Sequence, residues 1–150
     1  MLKCYKSGDF YKYFKQNMDA LGLPVPSQLF DTFTVAVTNA GVMFETLKTF
    51  GKNATVAELV GATTGLEKLK VAGSLGAALY TGAVIGSIAV ASGRTLSCGS
   101  SISDLFVFQR RYNLHFESSQ QFYIKHPEIL NPSKISKVTY RAKSIASGMV

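Results

Sequence analysis

The sequence predicts an all-α fold, a compact bundle of five or six helices packed round a central Gly/Ala-rich hydrophobic helix at about residues 71–92. Three observations predict it. Apolar residues recur at helical spacing, Ser, Thr, Asp, Gly and Pro residues typical of helix ends separate the stretches, and residues 71–92 carry no charge. A chain of 150 residues is long enough for one domain with a sizeable core. We therefore expect a single helical domain over residues 1–150.

The first predicted helix covers residues 10–21. Ser7 or Asp9 can cap its start, and Gly22 ends it before a proline-rich turn. Its large apolar residues share one face: Phe10, Phe14, Met18 and Leu21. The pattern fits an aromatic, basic helix in a membrane interface, or a surface helix docked on a core.

The second predicted helix begins at Ser27, which caps it, and reaches about residue 50, where Gly51 and Asn53 stop it. Its middle is uncharged, too short to cross a bilayer and suited to a core. Six apolar residues form the predicted core stripe: Phe33, Val37, Ala40, Phe44, Leu47 and Phe50. Asn39 and Gly41 lower its helix propensity and mark a point where it can bend.

Small side chains recur every fourth residue in the next two stretches. A third helical pattern begins at Asn53 or Thr55, and the central stretch continues the same period after it. Such small-xxx-small spacing lets helix backbones approach closely in lipid. Each Gly costs a helix interior roughly 1 kcal/mol relative to Ala, so an ordinary core helix has no reason to hold several. The predicted packing face holds six residues: Gly61, Gly65, Ser74, Ala78, Gly82 and Gly86.

The central stretch is long enough to cross a membrane. As a helix, residues 71–92 would be roughly 33 Å long, against a hydrocarbon core of roughly 30 Å. Lys68, Lys70 and Arg94 flank it as interfacial anchors would. We interpret residues 54–93 as a membrane-active segment, while a buried helix of a soluble bundle, also apolar all round, remains the alternative.

Two shorter helices and a basic tail complete the chain. One helix covers about residues 104–112 with two arginines in its last turn, and the other covers about residues 118–125 and stops before Pro127. Residues 131–150 contain lysines and an arginine but no acid. The tail is either a basic amphipathic helix or flexible.

Charge and composition favour an anionic partner. The net charge is +7, and hydrophobic residues make up 47% of the chain against 17% charged. Lys and Arg are scattered except in the tail, so we expect an anionic lipid membrane rather than nucleic acid. The first fifteen residues carry charges throughout and form no apolar signal region, so export would use another route. Cys4 and Cys98 fit neither a disulfide framework nor a metal site.

Catalytic motifs are lacking. His115 and His126 are the only histidines, and neither a His-Glu-x-x-His nor a Cys-x-x-Cys pattern occurs. Cys98, Asp104 and His115 could act as nucleophile, orienting group and base, but no family signature surrounds them. We therefore predict no enzymatic activity, no metal and no cofactor.

The glycine-spaced segment resembles small pore-forming toxins that bacteria pass into rivals. Gly61, Gly65, Gly82 and Gly86 carry the similarity to glycine-zipper effectors of the type VI secretion system and, more distantly, to colicin pore domains. The resemblance implies synthesis in the bacterial cytoplasm, export by a specialised route and insertion into the target's inner membrane. It also implies loss of ion gradients and an immunity protein or chaperone as a partner.

The chain departs from colicin pore domains because it is shorter and has one clear spanning segment. A pore would therefore need self-association, with Thr81, Ser87 and Ser92 as candidates for its wet side. The hypothesis is a membrane-inserting, pore-forming toxin whose spanning helix is covered in the stored form by residues 10–50 and 104–125. The alternatives are a soluble helical adaptor with a Gly-rich core helix, and a resident single-pass membrane protein.

Overall fold

The computed structural model describes residues 9–23, 25–51, 55–56, 58–59, 76–92, 102–116, 119–130 and 140. Within them the chain forms six α-helices and one 3-10 helix. The elements are α1 (Phe10–Leu21), α2 (Ser27–Phe30), α3 (Phe33–Phe50), α4 (Ala77–Ser92), α5 (Ile102–Arg111), α6 (Ser119–Lys125) and the 3-10 helix Pro127–Ile129. This part of the chain has no strand, and its one β-type pairing is an isolated bridge between Thr55 and Gly76. The all-α fold class is confirmed.

Helix α1 has the predicted bounds and the predicted buried face. Phe10, Phe14, Met18 and Leu21 are all buried. Gly22 adopts a left-handed conformation with φ of 78°, and its N–H donates to the Asp19 carbonyl at 3.0 Å. Leu23 N–H donates to the Met18 carbonyl at 3.1 Å, which completes a Schellman motif.

The cap prediction at the start of α1 is wrong for Asp9. Its side chain makes no capping hydrogen bond, and its backbone carbonyl instead accepts from Tyr13 N–H at 3.2 Å. Ser7 lies outside the described residues.

The second predicted helix is two helices, α2 and α3, separated at Asp31 and Thr32. Ser27 is the first residue of α2, and the N-cap position is occupied by Pro26 instead of the predicted Ser27. The helix is interrupted there because Thr32 has an extended backbone, with φ of −131° and ψ of 162°. The Thr32 Oγ1 accepts from Val35 N–H at 3.2 Å and so caps the start of α3. Asn39 then donates to the Leu29 carbonyl at 2.9 Å, so its side chain satisfies a backbone group of the preceding helix.

The buried stripe of α3 differs from the predicted one. Ala36, Ala40 and Met43 are fully buried, whereas Phe33, Val37, Phe44 and Leu47 are only half-buried. The Phe50 side chain lies outside the description. The helix ends as predicted at Gly51, whose φ is 82° and whose N–H donates to the Leu47 carbonyl at 2.8 Å.

A capping box starts the third predicted helix at Thr55. Thr55 N–H donates to Glu58 Oε1 at 3.1 Å, and Glu58 N–H donates to Thr55 Oγ1 at 3.2 Å. Val56, Glu58 and Leu59 are helical, and residues 60–75 lie outside the description.

Helix α4 lies among the other helices. It contacts α1, α3, α5 and the 3-10 helix, and α6 reaches it through Phe122 and Tyr123. Helix α5 starts at residue 102, two residues before the predicted start, and α6 ends at Lys125 as predicted. In the predicted tail the structure describes Tyr140 alone, which is helical and fully buried.

Candidate functional site

The candidate site is α4 and the side chains that enclose it. Helix α4 has no charged residue, and all of its residues are buried except Ala78, which is exposed, and Ser92, which is half-buried. Within the described residues, no helix combines the length and apolarity needed to cross a membrane.

The structure brings together two of the six predicted packing residues. Gly82 and Gly86 are buried on one side of α4, while Ala78 of the same row is exposed. The remaining predicted residues lie outside the described part of the chain, as do the three predicted anchors: Gly61, Gly65, Ser74, Lys68, Lys70 and Arg94.

The two glycines allow a close approach of the chain's own C-terminal elements. A Cβ placed on Gly82 would overlap the Phe122 ring of α6. A Cβ placed on Gly86 would overlap the Ile129 side chain and lie 3.3 Å from Tyr123 Cε1. The glycine face of α4 is therefore filled within one molecule by α6 and the 3-10 helix. We call these two elements, together with Tyr140, which bonds to the α4 backbone, the C-terminal cover.

Two buried phenols tie the C-terminal cover to the backbone of α4. The Tyr123 hydroxyl donates to the Gly82 carbonyl at 2.8 Å, and the Tyr140 hydroxyl donates to the Leu79 carbonyl at 2.8 Å. Burial raises the pKa of Tyr123 above its ordinary value of 10.0. Burial, with Tyr123 and the Glu128 carboxyl nearby, raises the pKa of Tyr140. Both hydroxyls therefore keep the proton that they donate.

Asn17 joins α1, α4 and the C-terminal cover at one point. Its Nδ2 donates to Ser87 Oγ at 2.8 Å and to the Ile129 carbonyl at 2.8 Å. Asn17 and Ser87 are buried, so these bonds form away from water, where an unmade bond is costly.

The three residues predicted to line a water-filled pore all belong to α4, but they differ in burial and in hydrogen-bond partner. Thr81 is buried and its hydroxyl donates to the Ala77 carbonyl at 2.8 Å, while Ser87 is buried against Asn17. Ser92 is half-buried and donates to the Ala89 carbonyl at 3.3 Å. Bonds of this kind satisfy hydroxyls inside an apolar helix without a water path.

A close contact between a histidine and a buried glutamate also belongs to the C-terminal cover. His126 Nδ1 lies 3.4 Å from Glu128 Oε2, and Glu128 is fully buried. The His126 ring packs against Phe122 with centroids 4.9 Å apart and against Tyr140 at 5.8 Å. The sequence patterns did not indicate this contact, because Glu is rarely fully buried and no local pattern around Glu128 predicts its burial.

No group of three or more His, Cys, Asp or Glu side chains with the geometry to hold a metal ion occurs among the described residues. Of the three residues considered as a catalytic set, Cys98 and the Asp104 side chain lie outside the description, and His115 is exposed. No family model, no curated protein and no solved structure matches the chain.

Proposed function

We propose that the protein is a membrane-inserting, pore-forming antibacterial toxin, and that the described fold is its stored form. The observation that carries the proposal is α4, an uncharged helix enclosed by α1, α3, α5 and the C-terminal cover. A helix that is apolar on every side must be buried in protein or in lipid. The enclosing α1 is amphipathic, with a buried apolar face and exposed lysines, so it can also rest at a membrane surface.

The proposed transition starts with electrostatic adsorption. The net charge of +7 and the basic residues of the tail attract the chain to an anionic bilayer. Each Lys or Arg near such a surface contributes about 1 kcal/mol. The cover and α1 then separate from α4, which enters the lipid and associates with other copies through its small-residue row. Ion gradients across the target's inner membrane collapse as a result.

The side-chain hydrogen bonds that must break are few enough for adsorption to offset, and the apolar surface of α4 that leaves the protein is buried again in lipid. Asn17, Tyr123 and Tyr140 make four side-chain hydrogen bonds within the α4 enclosure. At about 1 kcal/mol net each, they total about 4 kcal/mol. The four cations of the tail contribute about the same at an anionic surface: Lys134, Lys137, Arg141 and Lys143.

The experiment is release from vesicles of phosphatidylglycerol and phosphatidylcholine that hold potassium ions and a dye-labelled dextran. We expect rapid release of ions and retention of the dextran. The diagnostic variant is Ala78→Leu, because Ala78 belongs to the small-residue row but is exposed in the stored fold. Gly82→Leu is unsuitable, since it would collide with Phe122 and disturb the stored fold itself.

Ala78→Leu should reduce ion release roughly tenfold, because helix contacts in lipid are worth roughly 1–2 kcal/mol. The matched control is Gly41→Leu, a small-to-large change in α3 where an added Cβ meets nothing within 4 Å. Gly41→Leu should leave release unchanged. Intact vesicles with the wild-type protein, or equal effects of both variants, would overturn the proposal.

The packing of the glycine face favours a second function, that of a soluble helical adaptor. The glycine face of α4 is already filled by Phe122 and Ile129 of the same chain, as in a soluble adaptor whose Gly-rich helix is a tightly packed core. In that case the protein would stay monodisperse and would not bind the vesicles. Vesicle flotation before the release assay separates the two functions, and the expected toxin would also have an immunity partner that blocks release.

A further inference from the structure

An open cleft lies on the surface between α3 and the turn that ends α5. It encloses about 500 Å³ and is lined by Phe44, Glu45, Lys48, Arg110, Asn113 and His115. None of these residues takes part in the enclosure of α4. The cleft is therefore a separate feature, and its function does not depend on the proposed toxin activity.

The far wall of the cleft is built by a Schellman motif. Asn113 is left-handed with φ of 57°, and its N–H donates to the Arg110 carbonyl at 3.5 Å. Leu114 N–H donates to the Gln109 carbonyl at 2.8 Å, and Gln109 Nε2 donates back to the Leu114 carbonyl at 3.2 Å. Gln109 and Leu114 are buried. The hydrogen bonds therefore fix the backbone of the turn that carries Arg110, Asn113 and His115, which line the cleft opposite α3.

The near wall has its acid already neutralised. Lys48 Nζ lies 3.2 Å from Glu45 Oε1 and 4.6 Å from the centroid of the Phe44 ring. Across the cleft, Arg110 makes no ion pair with any of the described residues. The charges that line the cleft therefore leave one guanidinium without a counter-charge, beside two further donors, the Asn113 amide and the His115 imidazole.

We propose that this cleft binds a phosphate group. A guanidinium offers paired N–H donors that match phosphate oxygens, and the Asn113 amide and the His115 imidazole add further donors beside it. At the opposite wall the Lys48 ammonium is paired with Glu45, so that wall adds no net negative charge to repel the phosphate. The phosphate could come from a free phosphate ester or from the headgroup of a lipid, since both present the same oxygens.

The experiment measures binding of two probes to the intact protein. Inorganic phosphate is titrated by NMR, and vesicles of phosphatidylcholine with and without phosphatidic acid are tested by flotation. Arg110→Gln is compared with Arg111→Gln, a matched control because Arg111 is exposed on the same helix turn but does not line the cleft. Lys48→Gln tests the opposite wall. Unchanged circular dichroism confirms that each variant is folded.

We expect Arg110→Gln to weaken binding about tenfold, which corresponds to about 1.4 kcal/mol, and Lys48→Gln to weaken it less. Arg111→Gln should leave binding unchanged. Arg110-dependent binding of inorganic phosphate supports a site for free phosphate esters, and Arg110-dependent binding confined to phosphatidic acid vesicles supports a headgroup site. Equal losses in Arg110→Gln and Arg111→Gln, or no binding of either probe, overturn the proposal. Vesicle binding that does not depend on Arg110 overturns this site and leaves the proposed pore untouched, whereas no binding to the anionic vesicles at all would also contradict the adsorption step of the pore.

Discussion

The two faces of α4 are packed by different means. Toward α1 and α3, large apolar side chains such as Phe14, Met18 and Met43 supply the buried surface. Toward the C-terminal cover, Gly82 and Gly86 bring backbone and side chains together, and directional hydrogen bonds from Tyr123 and Tyr140 end on α4 carbonyls. The stability of the first face depends mainly on the volume of its side chains, whereas that of the second depends on their shape and on hydrogen-bond geometry. The first face should therefore tolerate a change of shape at constant volume, whereas the second should not tolerate an added side chain.

The largest expected difference comes from one substitution on each face. Gly86→Leu should lower the free energy of unfolding by about 3 kcal/mol, because its side chain would collide with Ile129 and Tyr123. Met18→Leu, a volume-conserving change on the α1 face, should cost less than about 1.5 kcal/mol. Urea unfolding midpoints of the two variants measure the difference.

Gly41→Ala is the control for glycine substitution itself. An added Cβ there meets nothing within 4 Å, so the variant should gain about 1 kcal/mol from helix propensity. If Gly86→Leu were as stable as the wild type, the close approach at the C-terminal cover would not hold in solution.

The next effect concerns Asn17, which links both faces. Asn17→Ala should cost about 2 kcal/mol, because it leaves the buried Ser87 hydroxyl and Ile129 carbonyl without this donor. A double-mutant cycle with Ser87→Ala should give a coupling energy of about 1 kcal/mol. Losses that add without coupling would show that the two side chains act independently.

The buried phenols predict a loss of stability in alkali. Their pKa values are raised in the folded state above the ordinary value of 10.0, so the folded chain holds their protons more tightly than the unfolded chain does. Their contribution to the free energy of unfolding is complete below pH 10. It falls as the pH rises above 10, by about 1.4 kcal/mol per pH unit for each phenol. Thermal unfolding across alkaline pH measures this slope. The Tyr123→Phe variant should show a shallower slope, and an unchanged slope would contradict the prediction.

The smallest expected effect is that of a single hydroxyl. Tyr140→Phe keeps the ring and removes the bond to the Leu79 carbonyl, so it should cost about 1 kcal/mol. Tyr112→Phe is the matched control, because Tyr112 is half-buried among the rings of Phe33 and Phe108. Urea unfolding should show no loss for this control. Equal losses for the two variants would mean that the tail is not anchored through this bond.

Local sequence patterns were sufficient to predict a helix whose apolar spacing and end signals lie within its own residues. The four apolar residues of α1 recur at helical spacing, and Gly22 can take a positive φ at little cost, so the helix, its end and its buried face were predictable. The break between α2 and α3 was not predictable, because Ser27 and Thr32 are both acceptable N-cap residues for a helix. Asn39, reaching back to the Leu29 carbonyl, is a contact between elements that neither cap reveals.

The candidate site was predictable only in part, for a related reason. The spacing of Gly82 and Gly86 correctly indicated close packing, but no local rule says that the partners are Phe122 and Ile129 of the same chain. The burial of Asn17 was predictable from its position, since it falls seven residues after Phe10 on the apolar face of α1. No local pattern indicated the burial of Tyr140, because its hydrogen-bond partner, the Leu79 carbonyl, lies far away in the sequence.

The isolated bridge between Thr55 and Gly76 has a consequence for the order in which the bundle can assemble. It joins two residues that are far apart in the sequence, and the Gly76 carbonyl also accepts the Tyr80 N–H of the first turn of α4 at 3.0 Å. A contact between distant residues costs loop-closure entropy that a contact within one helix does not. We therefore expect the bridge to form together with the packing of α4, after the helices with local signals, such as α1, have formed.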